Sequence, residues 1–430
     1  MKRRVSKLIG VAMLAVGIGA IWIVAPALST SPYVPRAVDF EQPLGDAVER
    51  VARAGIAAKH GDHGHDEGPI RFQSRPIQAP RRFDLVGVAG HLEDLELRTR
   101  RSDEGWSNWV EAPDGSPVWA GGADFVQIRS RGARISGRLH YVNVTGTDTP
   151  LRRLLTGMRS AVSTVFTGAI GAEKADAARA LRYVPRSAWG ADRKNGGCPP
   201  RVEPSQGKIK LAAVHHTVST NSYPPEAGPS VVLGICRYHR NANGWNDIGY
   251  NALVDRYGVL YEGRAGGLTQ AVIGAHASGW NSKSVGVALV GNHVVKQPGR
   301  PTLKTLVEFL AWKLKNHGWT KATGRRRIKS LGGSINRYPK GERPRLHRLL
   351  THRHLNSTEC AGDGTEALMR KVRKAVQRKL DRWGGNGPAI RPTEGEIPEP
   401  PPDGGGTAPQ APPGGETPPD DGGLPDPLSR

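Results

Sequence analysis

The sequence predicts two unlike parts, an α/β domain built on a mixed β-sheet flanked by helices and, ahead of it, a small all-β domain of sandwich-like character. Between Leu181 and Trp383 short apolar strand candidates alternate with longer segments of helical period, the pattern of a sheet covered by helices. Between Phe83 and Val144 brief apolar-alternating runs follow one another with only Gly, Asp and Pro turns between them. Composition changes sharply at both ends of the chain and sets these two regions apart. A chain of 430 residues is in any case too long for one ordinary core.

Residues 1–30 open with Lys2, Arg3, Arg4 and Lys7 and continue as an uncharged run from Leu8 to Ala27. That is the layout of a signal peptide, with Ala25-Pro26-Ala27 as a small-residue cleavage site. The run is close to the ~20 apolar residues that cross a bilayer, so an uncleaved signal anchor is the alternative. Either way the body is exported, as a secreted or cell-wall-associated protein, and meets the membrane only through such an anchor. Residues 31–80 read as a linker. Its His60-Gly-Asp-His63-Gly-His65-Asp66 tract could hold a metal, but it reads more readily as solvated chain, because nothing around it fixes ligand geometry.

Residues 81–148 form the β domain, with strand candidates Asp84–Ala89, Leu95–Arg100, Asp124–Arg129 and Arg134–Val144. Trp106, Trp109 and Trp119 lie among them, as core packing or as the lining of a sugar-binding groove, and the domain's role is unassigned. Residues 149–180 are rich in Ala, Arg and Leu and read as a connector helix. The α/β domain covers 181–384, with strands expected at Lys210–Val214, Asn251–Val254, Val259–Glu262 and Val285–Val290. Helices are expected at Ser230–Arg240, Leu303–Asn316 and Glu366–Trp383. The Pro/Gly-rich remainder, 385–430, cannot bury a core and is expected to be disordered.

The formal net charge is +22, although the last 46 residues carry eight acids against two arginines. The rest is therefore more basic still, and a basic exported chain seeks anionic wall or membrane polymers. No nucleic-acid-binding motif is present, which argues against nucleic acid as a partner. Three cysteines, Cys198, Cys236 and Cys360, are an odd number, so in an oxidising compartment two pair and one has other work.

Cys360 lies eight residues after His352, and a thiolate and an imidazole are both zinc ligands. A catalytic zinc takes three protein ligands and keeps a fourth position open, and His215, at the end of a strand candidate, is the third candidate. Spacing alone balances this against two ordinary histidines and a buried thiol. The motifs Arg186-Ser-Ala-Trp-Gly-Ala-Asp192, Val214-His-His-Thr217, Asn246-Asp-Ile-Gly-Tyr-Asn251, Tyr261-Glu-Gly-Arg264, Gly274-Ala-His276 with Asn281 and Gly286, and His352 with Thr358-Glu-Cys360 shift that balance. Over about 200 residues, and in this order, the chain resembles the peptidoglycan recognition proteins and the type-2 N-acetylmuramoyl-L-alanine amidases. Cys198-Pro-Pro and the Gly332–Pro339 insert look like the family's secreted bacterial branch.

The resemblance implies a zinc amidase fold and peptidoglycan as the partner. It also implies hydrolysis of the amide between muramic acid and L-alanine. His215, His352 and Cys360 match the zinc ligands, and Tyr250 and Thr358 the catalytic residues. His276, Asn281 and Arg264 are expected at the substrate. Zinc can lower the pKa of water and polarise a carbonyl, while Tyr250 and Thr358 can donate to the tetrahedral centre. His216 points to the other face of its strand and is read as structural. Ala361 stands where the family usually has proline, and Thr351 where glycine is common; both adjoin ligands. With Cys360 assigned to zinc, Cys198 and Cys236 are left to form a disulfide. The alternative function is a non-catalytic peptidoglycan-binding protein, although members that only bind commonly lack the zinc cysteine.

Overall fold

The computed structural model describes residues 36–45, 48–50, 69–92, 95–112, 116–132, 135–146, 180–219, 221–383 and 388–393. The N-terminal signal segment, the His60–Asp66 tract, the connector up to residue 179 and the chain after Thr393 lie outside the described residues.

Strands β1 (Val38–Pro43), β2 (Val48–Arg50), β3 (Phe72–Ser74), β4 (Ile77–Leu92), β5 (Leu95–Arg100), β6 (Val110–Glu111), β7 (Val118–Ser130) and β8 (Ile135–Asn143) make one antiparallel sheet. Its order is β1-β8-β4-β7-β3-β2, with β5 on β7 and β6 on β5. The sheet starts earlier than expected, since β1, β2, β3 and the first residues of β4 come from the stretch assigned to a linker. β1 pairs with β8 along its whole length, but as an edge strand it buries little and alternates with polar residues, so its signal was weak. The strands connect as one continuous sheet rather than two facing ones. Register shifts along β4, at Gln78/Phe83 and Phe83/Leu85, let this long strand change partners around a core of Phe83, Val86, Leu97, Val126, Ile128 and Tyr141.

Trp119 is core. Trp106 lies under the guanidinium groups of Arg98 and Arg100, and Trp109 under those of Arg98 and Arg129, at 4.3–5.0 Å. These half-buried rings are stacked against cations.

The second region contains β9 (Leu181–Tyr183), α1 (Arg186–Trp189), β10 (Leu211–His216), α2 (Gly228–Asn241), β11 (Ala252–Val254), β12 (Leu260–Glu262) and β13 (Ser284–Leu289). It continues with α3 (Arg300–Asn316), β14 (Arg325–Arg327), β15 (Arg345–His347), β16 (Leu349–Thr351), α4 (Asp363–Glu366), α5 (Met369–Trp383) and β17 (Ile390–Pro392). A five-stranded mixed sheet runs β12-β11-β13-β10-β16, parallel except for β12.

Alternation divides its faces. Ala212, Val214, Val285, Val287 and Leu289 pack under α3 and α5 with Leu306, Leu310 and Val376. Leu253 and Ala288 face α2. The expected last helix is two, because Leu368 N–H bonds back to Thr365 in a tighter turn between α4 and α5. Part of the expected disordered tail is ordered: β17 pairs in parallel with β9, and Thr393 N–H donates to the Tyr183 carbonyl.

The two regions interlock through α2. A Cβ on Gly234 would fall 2.2 Å from Leu85, and one on Gly87 would fall 2.3 Å from the Tyr238 hydroxyl. Each side therefore offers a glycine where the other inserts a large side chain. Tyr238 donates to the Val88 carbonyl at 3.2 Å, and the Arg237 guanidinium pairs with Asp39 at 2.8 Å.

Candidate metal centre

The sheet topology brings the candidate ligands together. β10 and β16 run parallel with Val214 opposite Thr351, so His215 and His352 emerge side by side at the same end of neighbouring strands. Ligand sites form at this carboxyl end in α/β sheets. Both histidines of the pair 215–216 lie inside β10, which ends two residues further than expected, and alternation sends their side chains to opposite faces. The His215 and His352 rings are 4.5 Å apart. After a 3₁₀ turn at His352–His354 the chain returns, held by Arg353 N–H to the Cys360 carbonyl at 2.7 Å, and delivers Cys360 beside them.

One ligand atom from each of His215, His352 and Cys360 lies within 4.8 Å of the other two. His215 Nδ1 is 3.7 Å from Cys360 Sγ, close to the ~3.6 Å edge that Zn–N and Zn–S bonds of about 2.0–2.3 Å span in a tetrahedron. The backbone N–H of His216 donates to Cys360 Sγ at 3.4 Å, a contact that favours thiolate. Burial first, and then the neighbouring His352, His276 and His216, holds His215 well below the usual imidazole range. Burial brings His352 down to about 4 against the opposing Asn356 hydrogen bond. Both rings are thus neutral near pH 7, the state in which nitrogen can ligate. The donor set suits zinc. Cys198 and Cys236 form a disulfide with α-carbons 6.2 Å apart, which leaves Cys360 to the cluster.

The other expected residues divide. Tyr250 is close, its ring 5.3 Å from that of His215. Burial, and then the charge of Cys360, raises its phenol far above the usual range, while a hydrogen bond with Ser116 pulls the other way. Thr358 Oγ1 accepts the Cys360 N–H at 3.2 Å and keeps its own proton for another acceptor.

His276 is buried beside His215. Its Nδ1 lies 3.0 Å from His215 Nε2 and its Nε2 3.3 Å from Ser284 Oγ, so both ring nitrogens are engaged. Asn281 is likewise spent on the loop, its Oδ1 accepting the N–H groups of His276 and Ala277 at 2.8 Å each. Arg264 donates to the Ile248 carbonyl and lines a shallow depression with Asn246, Asp247, Glu203 and Pro204; none of the cluster lines it. The buried Thr351 donates to Glu366 and so binds the strand end to α4.

Three contributors went unforeseen. Asn356, whose Oδ1 is 2.9 Å from His352 Nε2, lies one helical turn after its histidine, a spacing that could have flagged it. Ser284 and Ser116 carry no sequence signal, and Ser116 comes from the other region of the chain.

A family model described as N-acetylmuramoyl-L-alanine amidase matches residues 205–363. One peptidoglycan-recognition protein of Drosophila simulans is 31% identical over 157 residues, 33% of this chain and 79% of that protein. A second from the same fly, peptidoglycan-recognition protein SC2, is 34% identical over 119 residues, 28% of this chain and 60% of its own length. The human N-acetylmuramoyl-L-alanine amidase is 31% identical over 196 residues, which is 43% of this chain but only 27% of the human protein. All three are animal proteins and carry no argument for a bacterial branch. A match over most of the first fly protein, together with the amidase model across β10 to α4, places this chain in the peptidoglycan recognition protein and type-2 N-acetylmuramoyl-L-alanine amidase family.

Proposed function

We propose that the protein is an exported zinc-dependent amidase that hydrolyses the bond between muramic acid and L-alanine in peptidoglycan. The observation that carries this reading is the convergence of His215, His352 and Cys360 at the carboxyl end of β10 and β16. A module that only bound peptidoglycan would have no use for a thiol and two imidazoles gathered at one point. Zinc held there supplies Lewis-acid polarisation of the scissile carbonyl and a water of lowered pKa.

The chain's own residues do the rest. The Tyr250 phenol, kept protonated by burial, is a donor for the oxygen that becomes negative as the amide is attacked. The Thr358 hydroxyl, already accepting from Cys360 N–H, has its proton directed elsewhere and can donate to the same centre. The basic surface, a proposed contact for anionic wall polymers, would hold the enzyme on its insoluble substrate.

Metal analysis and product analysis test this together. The purified chain should carry one zinc, lost in Cys360→Ala, and should release free stem peptide from defined muropeptides as read by mass spectrometry. Zinc with no released peptide would leave a metal-bearing binding protein and defeat the amidase reading.

A further inference from the structure

The orientation of both histidines toward the metal follows from one loop. Start at Trp280, whose carbonyl can only accept. Ser284 Oγ lies 2.9 Å from it, so the serine proton points there. The serine oxygen is then an acceptor for the ring nitrogen 3.3 Å away, and His276 carries its proton on Nε2. His276 Nδ1 is left bare and accepts from His215, whose proton must sit on Nε2 at 3.0 Å. What remains on His215 is the Nδ1 lone pair, which faces Cys360 Sγ at 3.7 Å. Each step is forced by the one before, because a neutral imidazole has one donor and one acceptor.

A second chain has the same logic. Asn356 Nδ2 faces the Ser278 carbonyl at 3.1 Å and the Ile335 carbonyl at 3.3 Å, which makes that end the amide NH₂. Its Oδ1 is therefore the atom 2.9 Å from His352 Nε2, and His352 must donate from Nε2. Nδ1 is again the free atom.

We propose that the loop 276–284 is a tautomer template: the Trp280 carbonyl, through Ser284 and His276, and the Ser278 carbonyl, through Asn356, hold His215 and His352 with Nδ1 bare for zinc. His276, Ser284 and Asn356 are positioning residues, and Asn281 fastens the loop they depend on.

The packing supports a dedicated place for His276. A Cβ on Gly286 would lie 2.4–2.7 Å from its ring atoms, and one on Gly274 would lie 2.5 Å from its Cδ2. Glycines thus crowd the ring on two sides and leave it little freedom to turn. Partners on the far nitrogen of a ligating histidine typically tune metal affinity by about 10–100-fold.

The inference rests on the zinc reading for the identity of the ion, but its test does not need turnover. Long-range ¹H–¹⁵N spectra of the zinc-free full chain report the tautomer of each histidine. Nε2–H is expected for both His215 and His352. Ser284→Ala should shift the tautomers of His276 and His215 but not of His352, and weaken zinc binding, measured by chelator competition, by about 10–100-fold. Asn356→Leu should shift His352 alone, with a similar loss. A general loosening of the loop would move both together and overturn the template. An Nδ1–H form of His215 in the unmodified protein would overturn the proposal even if a variant failed to fold. Absence of muropeptide cleavage with Nε2–H tautomers intact would instead strike the amidase reading.

Discussion

Tyr250 stands between two histidines, 5.3 Å from His215 and 5.5 Å from His239, ring to ring. Its hydroxyl is the only part whose removal leaves that packing intact. Tyr250→Phe should therefore keep zinc and the fold, losing about 0.5–1.5 kcal/mol with the Ser116 hydrogen bond, while slowing amide cleavage by about 10²–10³, the usual loss for one oxyanion donor. Undiminished turnover would show that the phenol does no chemistry. At this scale residue chemistry alone left the two imidazoles and the thiol balanced against ordinary buried groups, and it was the resemblance of the surrounding motifs that singled them out with Tyr250 and Thr358. The sequence could not disclose the tasks of His276 and Asn281, because those depend on atoms supplied by Ser284 and by the loop's own backbone. A histidine that binds substrate and one that orients another histidine look alike until their neighbours are known.

Among the elements, β10 and β13 were readable from their apolar content, while the three-residue β16 was not among the expected strands; its parallel pairing with β10 is what puts two candidate ligands at one end. The end of β10 was less readable, since His215 and His216 extend it into what polarity alone marks as loop. The Cys198–Cys236 bridge ties the segment before β10 to α2 across 38 positions. Replacing both cysteines by serine should lower the free energy of unfolding by about 3–4 kcal/mol in denaturant titrations; equal stability would mean that it constrains little.

The end of β16 has its own pH signature. Burial raises the Glu366 carboxyl, but hydrogen bonds from His354 and Thr351 outweigh it and bring the group from 4.5 down to about 2. A carboxyl lowered on folding stabilises fully above its unfolded value and loses that contribution as pH falls through the folded one. The stability gap between wild type and Glu366→Gln should therefore narrow between about pH 4.5 and pH 2. A gap independent of pH would refute the pairing.

For the molecule as a whole, a change of texture near residue 180 was legible, while the participation of Val38–Pro43 in one sheet and of Ile390–Pro392 in another was not. Both are edge pairings in which backbone bonding matters more than side chains. The net positive charge acquires a location in the paired strands β14 and β15, where Arg325, Arg326, Arg327 and Arg345 are all exposed. Reversing Arg325, Arg326 and Arg327 to glutamate should sharply reduce retention on immobilised polyphosphate at about 0.15 M salt while leaving zinc content unchanged. Unchanged retention would place the polyanion contact elsewhere. The reciprocal glycine sockets at Gly87 and Gly234 have a different consequence. Together with the Tyr238–Val88 hydrogen bond and the Arg237–Asp39 ion pair, they join the N-terminal sheet to α2 by contacts other than the covalent connection at 147–179. Two separately expressed polypeptides, ending and starting within that connection, should therefore find each other and reconstitute the whole, a split protein whose reassembly Gly234→Leu would abolish.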